Sequence, residues 1–443
     1  MEFSLLYTSL SLLIFIIAFK FLLQIRSSKH KNHPPSPRAL PIIGHLHLLK
    51  EPLHRTLQAL SEKHGSVFSL RFGSRNVIVV SSSSAAEECL NKNDIVFANR
   101  PLLIMGKYLG YNNTTIALSP YGDHWRNLRR LSAVEIFSSS RLNMFLGIRR
   151  DEINILLEKL YGVSSNSTGF AKVELRPMYY GEDDDEEARE FRELIKEMFE
   201  YGGASDPADF LPILEWFDYQ GLVKRAVSIG KKTDSFLQGL IDEHRKAAAA
   251  DESRNTMIGH LLVLQQSQPD YYTDEIIKGL IIVMLLAATD TSAVTLEWAM
   301  SNLLNASTIQ KSPLLVPHLS SDDCTVERYD IPCDTILFVN AWAIQRDPKY
   351  WDDATSFKPE RFESGEPTGY KLMPFGLGRR ACPGVGLAQR VVGLTLGSLI
   401  QCFDWERVDG KEVDMSEGKG LTMPRAVPLE AMCKARPILN KRS

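Results

Sequence analysis

The sequence predicts a mainly α-helical fold with small β-sheets, behind a single N-terminal helix that crosses a membrane. Three patterns lead to this prediction: an uncharged apolar run at the N-terminus, several long stretches with helical periodicity, and two short stretches of alternating apolar residues. The chain has 443 residues, of which 44% are hydrophobic and 24% charged, so it can bury a large core. No Gly/Ser-rich or Pro-rich linker interrupts residues 46–443, and we expect one large domain there.

The charge and the cysteines exclude several classes of function. The formal net charge is -3, which leaves no basic surface for nucleic acid, so we expect no nucleic-acid partner. The six cysteines lack the Cys-x-x-Cys spacing of zinc sites and show no disulfide framework. We expect most of them to be reduced and to fill the interior.

The N-terminal segment, residues 1–25, is long and apolar enough to span a bilayer, with Lys20 able to extend towards the membrane surface. A cleaved signal peptide is the alternative, but the basic residues follow the apolar run and no small-residue cleavage site stands out. A retained anchor is favoured, and the basic residues after it place the main domain in the cytosol. Residues 26–45, which are basic and rich in proline, form a stiff hinge.

Two stretches of the main domain predict strands. Residues 67–82 alternate around a Gly-Ser turn and predict a hairpin, and residues 327–343 predict a second strand pair. Between them, residues 186–201 and 225–250 have the periodicity and composition of helices.

The longest predicted helix runs from Asp274 to Leu304 and is apolar on most sides between Leu280 and Ala288. We interpret it as a core helix, because its apolar run is too short for a membrane span and Asp290 follows directly. Asp290 and Thr291 place an acid and a hydroxyl at its centre. Thr291 bonded to a carbonyl one turn earlier, with Asp290 paired to a basic residue, is the ordinary structural explanation, and a proton relay is the functional one.

A glycine-rich loop, "PFGLGRRACPGVGLA", surrounds Cys382 just before another predicted helix. Its glycines allow close backbone approach to a flat group, and its two arginines offer forked donors for carboxylates. A thiol in such a loop suits a thiolate ligand to haem iron, although a buried structural cysteine is the commoner use of this residue.

The spacing of Phe375, Gly378, Arg380, Cys382 and Gly384 resembles the haem-binding loop of cytochromes P450 at every defining position. Three further stretches resemble other segments of that family. They are "AATDTS", the oxygen-activating segment, "FKPERF", the meander, and "WRNLR", the helix that reaches a haem propionate. The resemblance runs from the anchor to the C-terminus and implies a cytochrome P450 fold.

The resemblance also implies roles for individual residues. Cys382 would bind the iron of haem b, Phe375 would shield its sulfur, and Asp290 and Thr291 would deliver protons. Candidate propionate contacts are Arg380, Trp125, Arg129 and His318. Plain packing for Trp125 and surface pairing for Arg129 are the alternatives.

The resemblance implies partners as well: an NADPH-cytochrome P450 reductase, O2, membrane lipid of the endoplasmic reticulum, and a small apolar or aromatic substrate. Three stretches, "PLLVPHLSSDDCTV", "VNAWAIQRDPKYW" and "LTMPRAVPLEAMC", are similar to plant microsomal enzymes grouped with isoflavone 2'-hydroxylases. They imply hydroxylation of a flavonoid or a similar plant phenolic. Residues 100–113 and 209–222 match variable segments that border the substrate cavity in the family.

The chain departs from the family at two places. Near residues 178–179 a core helix is missing, and near residues 307–313 two helices that carry a Glu-x-x-Arg pair are missing. Glu186 to Arg189 has that spacing but lies in the wrong part of the chain. A truncated, non-catalytic remnant that serves at most as a membrane-bound interaction protein, or a faulty gene model, is therefore the alternative to an active monooxygenase.

Overall fold

The computed structural model describes residues 32–167, 169–175, 186–203, 207–249, 256–305, 314–356, 358–363, 365, 370–418, 420 and 422–438, together with residues 7, 11 and 15. The predicted anchor and both predicted gaps lie almost wholly outside these residues. The anchor and the positions of the gaps therefore stay predictions, and so does the hinge, of which residues 32–45 are described.

Helices make up most of the described chain. In chain order they are α1 (Leu53–His64), α2 (Ser83–Glu87), α3 (Ile104–Tyr108), α4 (Asp123–Leu131), α5 (Ser139–Met144), α6 (Leu146–Ser165), α7 (Glu186–Gly203), α8 (Ile213–Phe217), α9 (Leu222–Ala249), α10 (Met257–Ser267), α11 (Asp274–Asn305), α12 (Ala341–Ile344) and α13 (Val385–Cys402). The predicted helices at residues 186–201, 225–250 and 274–304 are thus confirmed as α7, α9 and α11.

The strands are short and form small sheets. They are β1 (Val67–Phe72), β2 (Arg75–Val80), β3 (Ala171–Glu174), β4 (His318–Leu319), β5 (Cys324–Val326), β6 (Tyr329–Ile331), β7 (Ile336–Val339), β8 (Phe403–Glu406) and β9 (Glu430–Ala435). The sheet orders are β1-β2-β7-β4, β3-β9-β8 and β5-β6. This mainly helical architecture with small sheets confirms the predicted fold class.

The predicted hairpin is present, whereas the second predicted strand pair is wrong in its pairing. β1 and β2 pair antiparallel, with Phe72 opposite Arg75 around the Gly-Ser turn. β6 pairs with β5, and β7 instead runs parallel to β2 and antiparallel to β4. β7 is apolar at all four positions and mostly buried, so the larger sheet buries more of its surface than a local hairpin would.

The long helix α11 is buried at both ends of its apolar region but not at its centre. Leu280, Ile281 and Ile282 are buried in the largest core cluster, which α11 shares with α4, α7, α9 and α10. Ala287, Ala288 and neighbouring hydroxyl residues are exposed. The prediction of a core helix holds, except over this central turn.

α13 packs against α11 and α6 but keeps apolar side chains exposed, Leu394 at 37% and Ile400 at 42%. One groove of about 830 Å³ lies between α6 and α13, lined by residues that include Leu157, Tyr161 and Leu394. A second groove of about 690 Å³ lies at the C-terminal end of α11, where Leu303 is 44% exposed. Exposed apolar surface of this kind calls for a covering segment.

α11 and α13 are also, among the described helices, the two that are long and apolar enough to cross a membrane. Both contribute side chains to core clusters, α11 to two of them and α13 to one. This is how core helices of a globular domain behave.

Candidate functional site

The Cys382 loop ends at the start of α13 and presents the thiol outwards. The Cys382 amide donates to the Phe375 carbonyl at 2.8 Å, which closes the loop, and Gly384 is the N-cap residue of α13. The cysteine is exposed in the structure.

Gly378 is required by its surroundings, whereas a Cβ on Gly384 would make only ordinary contacts. Gly378 has φ +69°, and a Cβ there would lie 2.3 Å from the Leu90 carbonyl oxygen. A Cβ on Gly384 would lie 3.8 Å from the Cys382 sulfur and 3.4 Å from the Phe137 ring. Gly378 therefore lets the loop dock closely on the Leu90 backbone.

The loop is anchored by an acidic residue outside it. The Asp94 carboxylate accepts from the Arg379 amide at 2.8 Å and from the Arg379 guanidinium at 3.0 Å. Of the two predicted carboxylate-binding arginines, Arg379 is thus already paired with a carboxylate of the protein.

Arg380 points to the other side, into a site around Trp125. Its guanidinium lies 4.5 Å from the centre of the Trp125 ring and donates to the carbonyls of Ala98 at 2.6 Å and Ser119 at 2.5 Å. Trp125 is buried, and its indole donates to the Ile116 carbonyl at 3.1 Å. The structure therefore brings Arg380 and Trp125 together, with Trp125 both packed and hydrogen-bonded.

Arg129, His318 and Arg100 complete this group. Arg129 lies 6.0 Å from the Trp125 ring centre. Burial lowers the pKa of Arg129, and the nearby Cys382 opposes that shift. His318 is buried, and its Nδ1 lies 2.7 Å from the Phe97 carbonyl, to which it donates when that nitrogen carries the proton. Arg100 is buried and donates to the Pro317 carbonyl at 2.7 Å.

Burial and neighbouring positive charges lower the pKa values of the basic side chains in this group. Burial and the charge of Arg129 lower the pKa of Arg380 to about 10, and burial and the charge of Arg380 lower the pKa of Arg100 to about 9. Burial, together with the charges of Arg100 and Arg380, lowers the pKa of His318 to about 3, so the imidazole is neutral. Among the described residues, none of the three arginines forms an ion pair with a carboxylate. The group therefore suits an anionic ligand that carries carboxylates.

The acid and hydroxyl at the centre of α11 have separate partners. Thr291 donates to the Ala287 carbonyl one turn earlier, as the structural explanation expects. The Asp290 carboxylate accepts from the Thr422 hydroxyl, from a segment far along the chain. The basic partner that the structural explanation also expects for Asp290 stays a prediction.

Three residues of the site, Arg100, Asp94 and Thr422, were not predicted from the sequence. Arg100 follows a short "FAN" run and Asp94 lies in a polar turn, and neither carries a pattern that indicates a ligand site. Thr422 lies 132 residues from Asp290, and local periodicity does not predict contacts over such a separation. These residues join the site only through the tertiary fold.

The meander stretch places Arg361 against backbone carbonyls. Arg361 donates to the carbonyls of Asp352, Asp353 and Ser356 at 3.2 to 3.3 Å. Among the described residues it forms no ion pair with a carboxylate. Phe357, the first residue of that stretch, lies outside the described residues.

Comparison with known proteins decides the family. The family model for cytochrome P450 matches residues 34–312 and 311–429. The chain belongs to the cytochrome P450 family. Its two matched parts meet inside the predicted gap near residues 307–313. As a P450 it is a monooxygenase by class, with a haem cofactor.

Plant cytochromes P450 are similar to this one over nearly their whole length. Cytochrome P450 81Q32 of Catharanthus roseus is 53% identical over 497 aligned positions, which cover 99% of this chain and 98% of that protein. The isoflavone 2'-hydroxylase of Glycyrrhiza echinata is 48% identical over 496 positions and covers 98% of each chain. These relatives confirm the resemblance to isoflavone 2'-hydroxylase-like enzymes.

A solved structure confirms the P450 fold. A zebrafish cytochrome P450 with progesterone has a TM-score of 0.73 and 21% identity, and the match covers 87% of this chain and 100% of that chain. At this identity the likeness concerns the fold alone.

The alignment also bears out internal gaps. The match to the Catharanthus protein extends over 497 positions although this P450 has 443 residues, so at least 54 positions of that protein lie opposite gaps. These gaps are in keeping with the core segments that the sequence analysis found missing.

Proposed function

We propose that this chain is a membrane-anchored haem-thiolate monooxygenase that hydroxylates an isoflavonoid or a similar small plant phenolic. The cytosolic domain would take electrons from an NADPH-dependent reductase at the endoplasmic reticulum. Per turnover, one C–H bond, O2, two electrons and two protons become one C–OH group and water.

One observation carries this proposal: one buried arginine, Arg100, and two half-buried ones, Arg129 and Arg380, converge near an exposed cysteine thiol, and none of them has a carboxylate partner among the described residues. Burying uncompensated charge is costly, so such a group is stable only with an anion beside it. The two propionates of haem supply two carboxylates, and the thiol supplies the iron ligand. The residues present thus fit haem b.

The roles of the chain's residues follow from this fit. When bound, haem supplies activation of O2 through thiolate-ligated iron. Cys382 would hold the iron, while Arg380, Arg129 and Arg100 would hold the propionates. His318 in its neutral form uses its one proton on the Phe97 carbonyl, so it would donate to a propionate only after a second protonation.

Asp290 and Thr291 would transfer protons. Both residues lie in the part of α11 that is not buried. The Thr291 hydroxyl donates a hydrogen bond to the Ala287 carbonyl. Rotation of that hydroxyl frees it for a water or for oxygen, and Asp290 resupplies the proton.

The substrate class rests on the relatives and on the lining segments. The Glycyrrhiza relative is named for hydroxylation of isoflavones at the 2' position. Residues 100–113 and 209–222 carry apolar and aromatic side chains, of which Trp216 is 88% exposed. Such side chains suit a flat aromatic substrate or a membrane surface.

A second candidate is a non-catalytic remnant, and the exposed face of α13 favours it. Leu394 and Ile400 are exposed on a helix that borders the haem-binding loop, and Arg361 lacks an acidic partner among the described residues. Uncovered apolar surface on this scale competes with the small net stability of a domain.

Turnover with a reductase tests the proposal. The full chain in microsomes with NADPH and plant reductase is given an isoflavone, and product is identified by mass. Cys382→Ala is the matched control, since it removes the iron ligand. Hydroxylated product from the wild-type chain but not from Cys382→Ala supports the proposal. Equal amounts of product from the two proteins contradict it.

A further inference from the structure

The Asp290 carboxylate accepts a hydrogen bond from a residue outside α11, the helix that carries Asp290. Three threonines of α11 lie within five residues of Asp290, and each donates to a carbonyl four residues earlier: Thr289 to Leu285, Thr291 to Ala287 and Thr295 to Thr291. A hydroxyl has one proton to donate. None of the three is therefore donating to the Asp290 carboxylate, although Thr289 and Thr291 are its neighbours in sequence.

The hydroxyl that does donate belongs to Thr422, at the start of a segment fastened along α11. Residues 422–429 form this segment, which we name the strap. The Met423 carbonyl accepts from the Trp298 indole at 3.1 Å, and the Leu429 amide donates to the Glu297 carboxylate at 2.9 Å.

Arg425 secures the middle of the strap. It is buried, and it donates to the Ser301 hydroxyl of α11 and to the Asp414 carbonyl at 2.6 Å. Contacts at three points along α11 keep the strap in one register on the helix. The position of the Thr422 hydroxyl is therefore set by the fold rather than by a mobile loop.

We propose that Thr422 is a positioning residue for proton delivery, which acts by holding the Asp290 carboxylate on the strap side of α11. This rests on the proposed monooxygenase function and adds a residue to it. Asp290 gives its proton productively only from a defined orientation, and Thr422 supplies that orientation. Loss of the Thr422 hydroxyl removes this contact, which widens the range of orientations of the carboxylate and impairs proton delivery.

Failed proton delivery has a distinct product. When the second proton reaches the wrong atom, O2, two electrons and two protons leave as H2O2 instead of driving formation of C–OH and water. NADPH is then consumed without product. The ratio of product to NADPH thus reports positioning, whereas a purely structural role would lower haem content or raise KM.

The first experiment compares Thr422→Val with Thr422→Ser in the full chain with reductase. We expect Val to keep the thiolate-type spectrum and KM, to lower product per NADPH about fivefold or more, and to raise H2O2 correspondingly, and we expect Ser to restore coupling. Thr295→Val, which loses a hydroxyl bonded within α11, is the matched control and keeps wild-type coupling. Wild-type coupling in Thr422→Val overturns the proposal.

A second experiment does not depend on turnover. Thr422→Val, Asp290→Asn and the double variant are unfolded in urea, and we expect the double variant to lose less stability than the two single losses combined. If the losses of unfolding free energy in the two single variants add up to the loss in the double variant, Thr422 and Asp290 do not interact, and the proposal is overturned. If the wild-type chain fails to bind haem, the proposed function fails, and this cycle still decides whether Thr422 holds Asp290.

Discussion

Arg380 stacks on Trp125 with 4.5 Å between its guanidinium carbon and the ring centre, while its donors point at the carbonyls of Ala98 and Ser119. The pair links the cysteine loop to α4 through a cation that has no carboxylate partner among the described residues. Cation stacking on an indole keeps the guanidinium in place without neutralising it. The arrangement keeps a full positive charge ready for an anion.

Replacing Arg380 is expected to weaken haem binding. Arg380→Leu removes a charge-assisted bond worth about 1.5–3 kcal/mol, so apparent haem affinity should fall roughly tenfold to a hundredfold. Titration of haem into the full chain measures this. Arg379→Leu is the matched control, because Arg379 pairs with Asp94 and should change affinity little. Equal losses in the two variants would show that Arg380 is not a propionate ligand.

His318 is expected to make the fold acid-sensitive. Burial, together with the charges of Arg100 and Arg380, lowers the pKa of His318 to about 3, far below the ordinary value of about 6.5. Below about pH 6.5 the unfolded chain binds a proton that the folded chain does not, so the free energy of unfolding falls as pH decreases towards 3, by up to about 1.4 kcal/mol per pH unit.

Urea unfolding of wild type and His318→Gln between about pH 7 and about pH 5 checks this contribution. The variant should lose less stability over that range. His33→Gln, a surface change, is the control and should follow wild type. Parallel curves for wild type and His318→Gln would mean that His318 is not buried as a neutral imidazole.

A buried cation joins α11 to α9 and to the loop before α4. Lys278 has a side chain only 7% exposed and pairs with Asp234, whose carboxylate also accepts from the Tyr111 hydroxyl at 3.0 Å. Burial, together with the negative charge of Asp234, raises the pKa of Tyr111. Asp234→Asn leaves the ammonium buried without its anion and should cost about 2–4 kcal/mol of unfolding free energy.

The double variant Asp234→Asn/Lys278→Met should recover most of that stability, since it removes both charges. Urea unfolding of the three proteins measures the recovery. Tyr111→Phe should cost only about 1 kcal/mol, the worth of one hydrogen bond. A double variant no more stable than Asp234→Asn would show that the buried charge is not the source of the loss.

Restoring the missing core is expected to stabilise the chain. Segments of the Catharanthus relative that lie opposite the gaps are inserted near residues 178–179 and 307–313. They should cover exposed side chains such as Leu394, Ile400 and Leu303, each contributing on the order of 1 kcal/mol. Thermal unfolding and haem content report the gain. An insert of the same length made of Gly and Ser is the control, and an equal result from both inserts would mean that the grooves need no cover.

Local patterns predicted some of this structure well. The β1–β2 hairpin follows from alternation around Gly73 and Ser74, and the cysteine loop follows from residue spacing that recurs across a family. Both depend on neighbours in sequence. The periodicity of residues 186–201 and 225–250 predicted α7 and α9 for the same reason.

Long-range relationships were not predictable in this way. β7 pairs with β2, more than 250 residues earlier, because burial in the larger sheet outweighs a local hairpin with β6. Arg100 joins Arg380, and Thr422 joins Asp290, only when the chain has folded. The bond from Thr291 to a carbonyl one turn earlier, by contrast, was expected from the sequence, because it is local to α11.

The central claim is that Cys382 binds haem iron as a thiolate despite the missing segments. The reduced, carbon-monoxide difference spectrum of the full chain in microsomes tests it most directly. We predict the Soret band of thiolate-ligated haem for the wild-type chain and its loss in Cys382→Ala. A wild-type spectrum without that band, or with only the band of thiolate-lost haem, would contradict the claim.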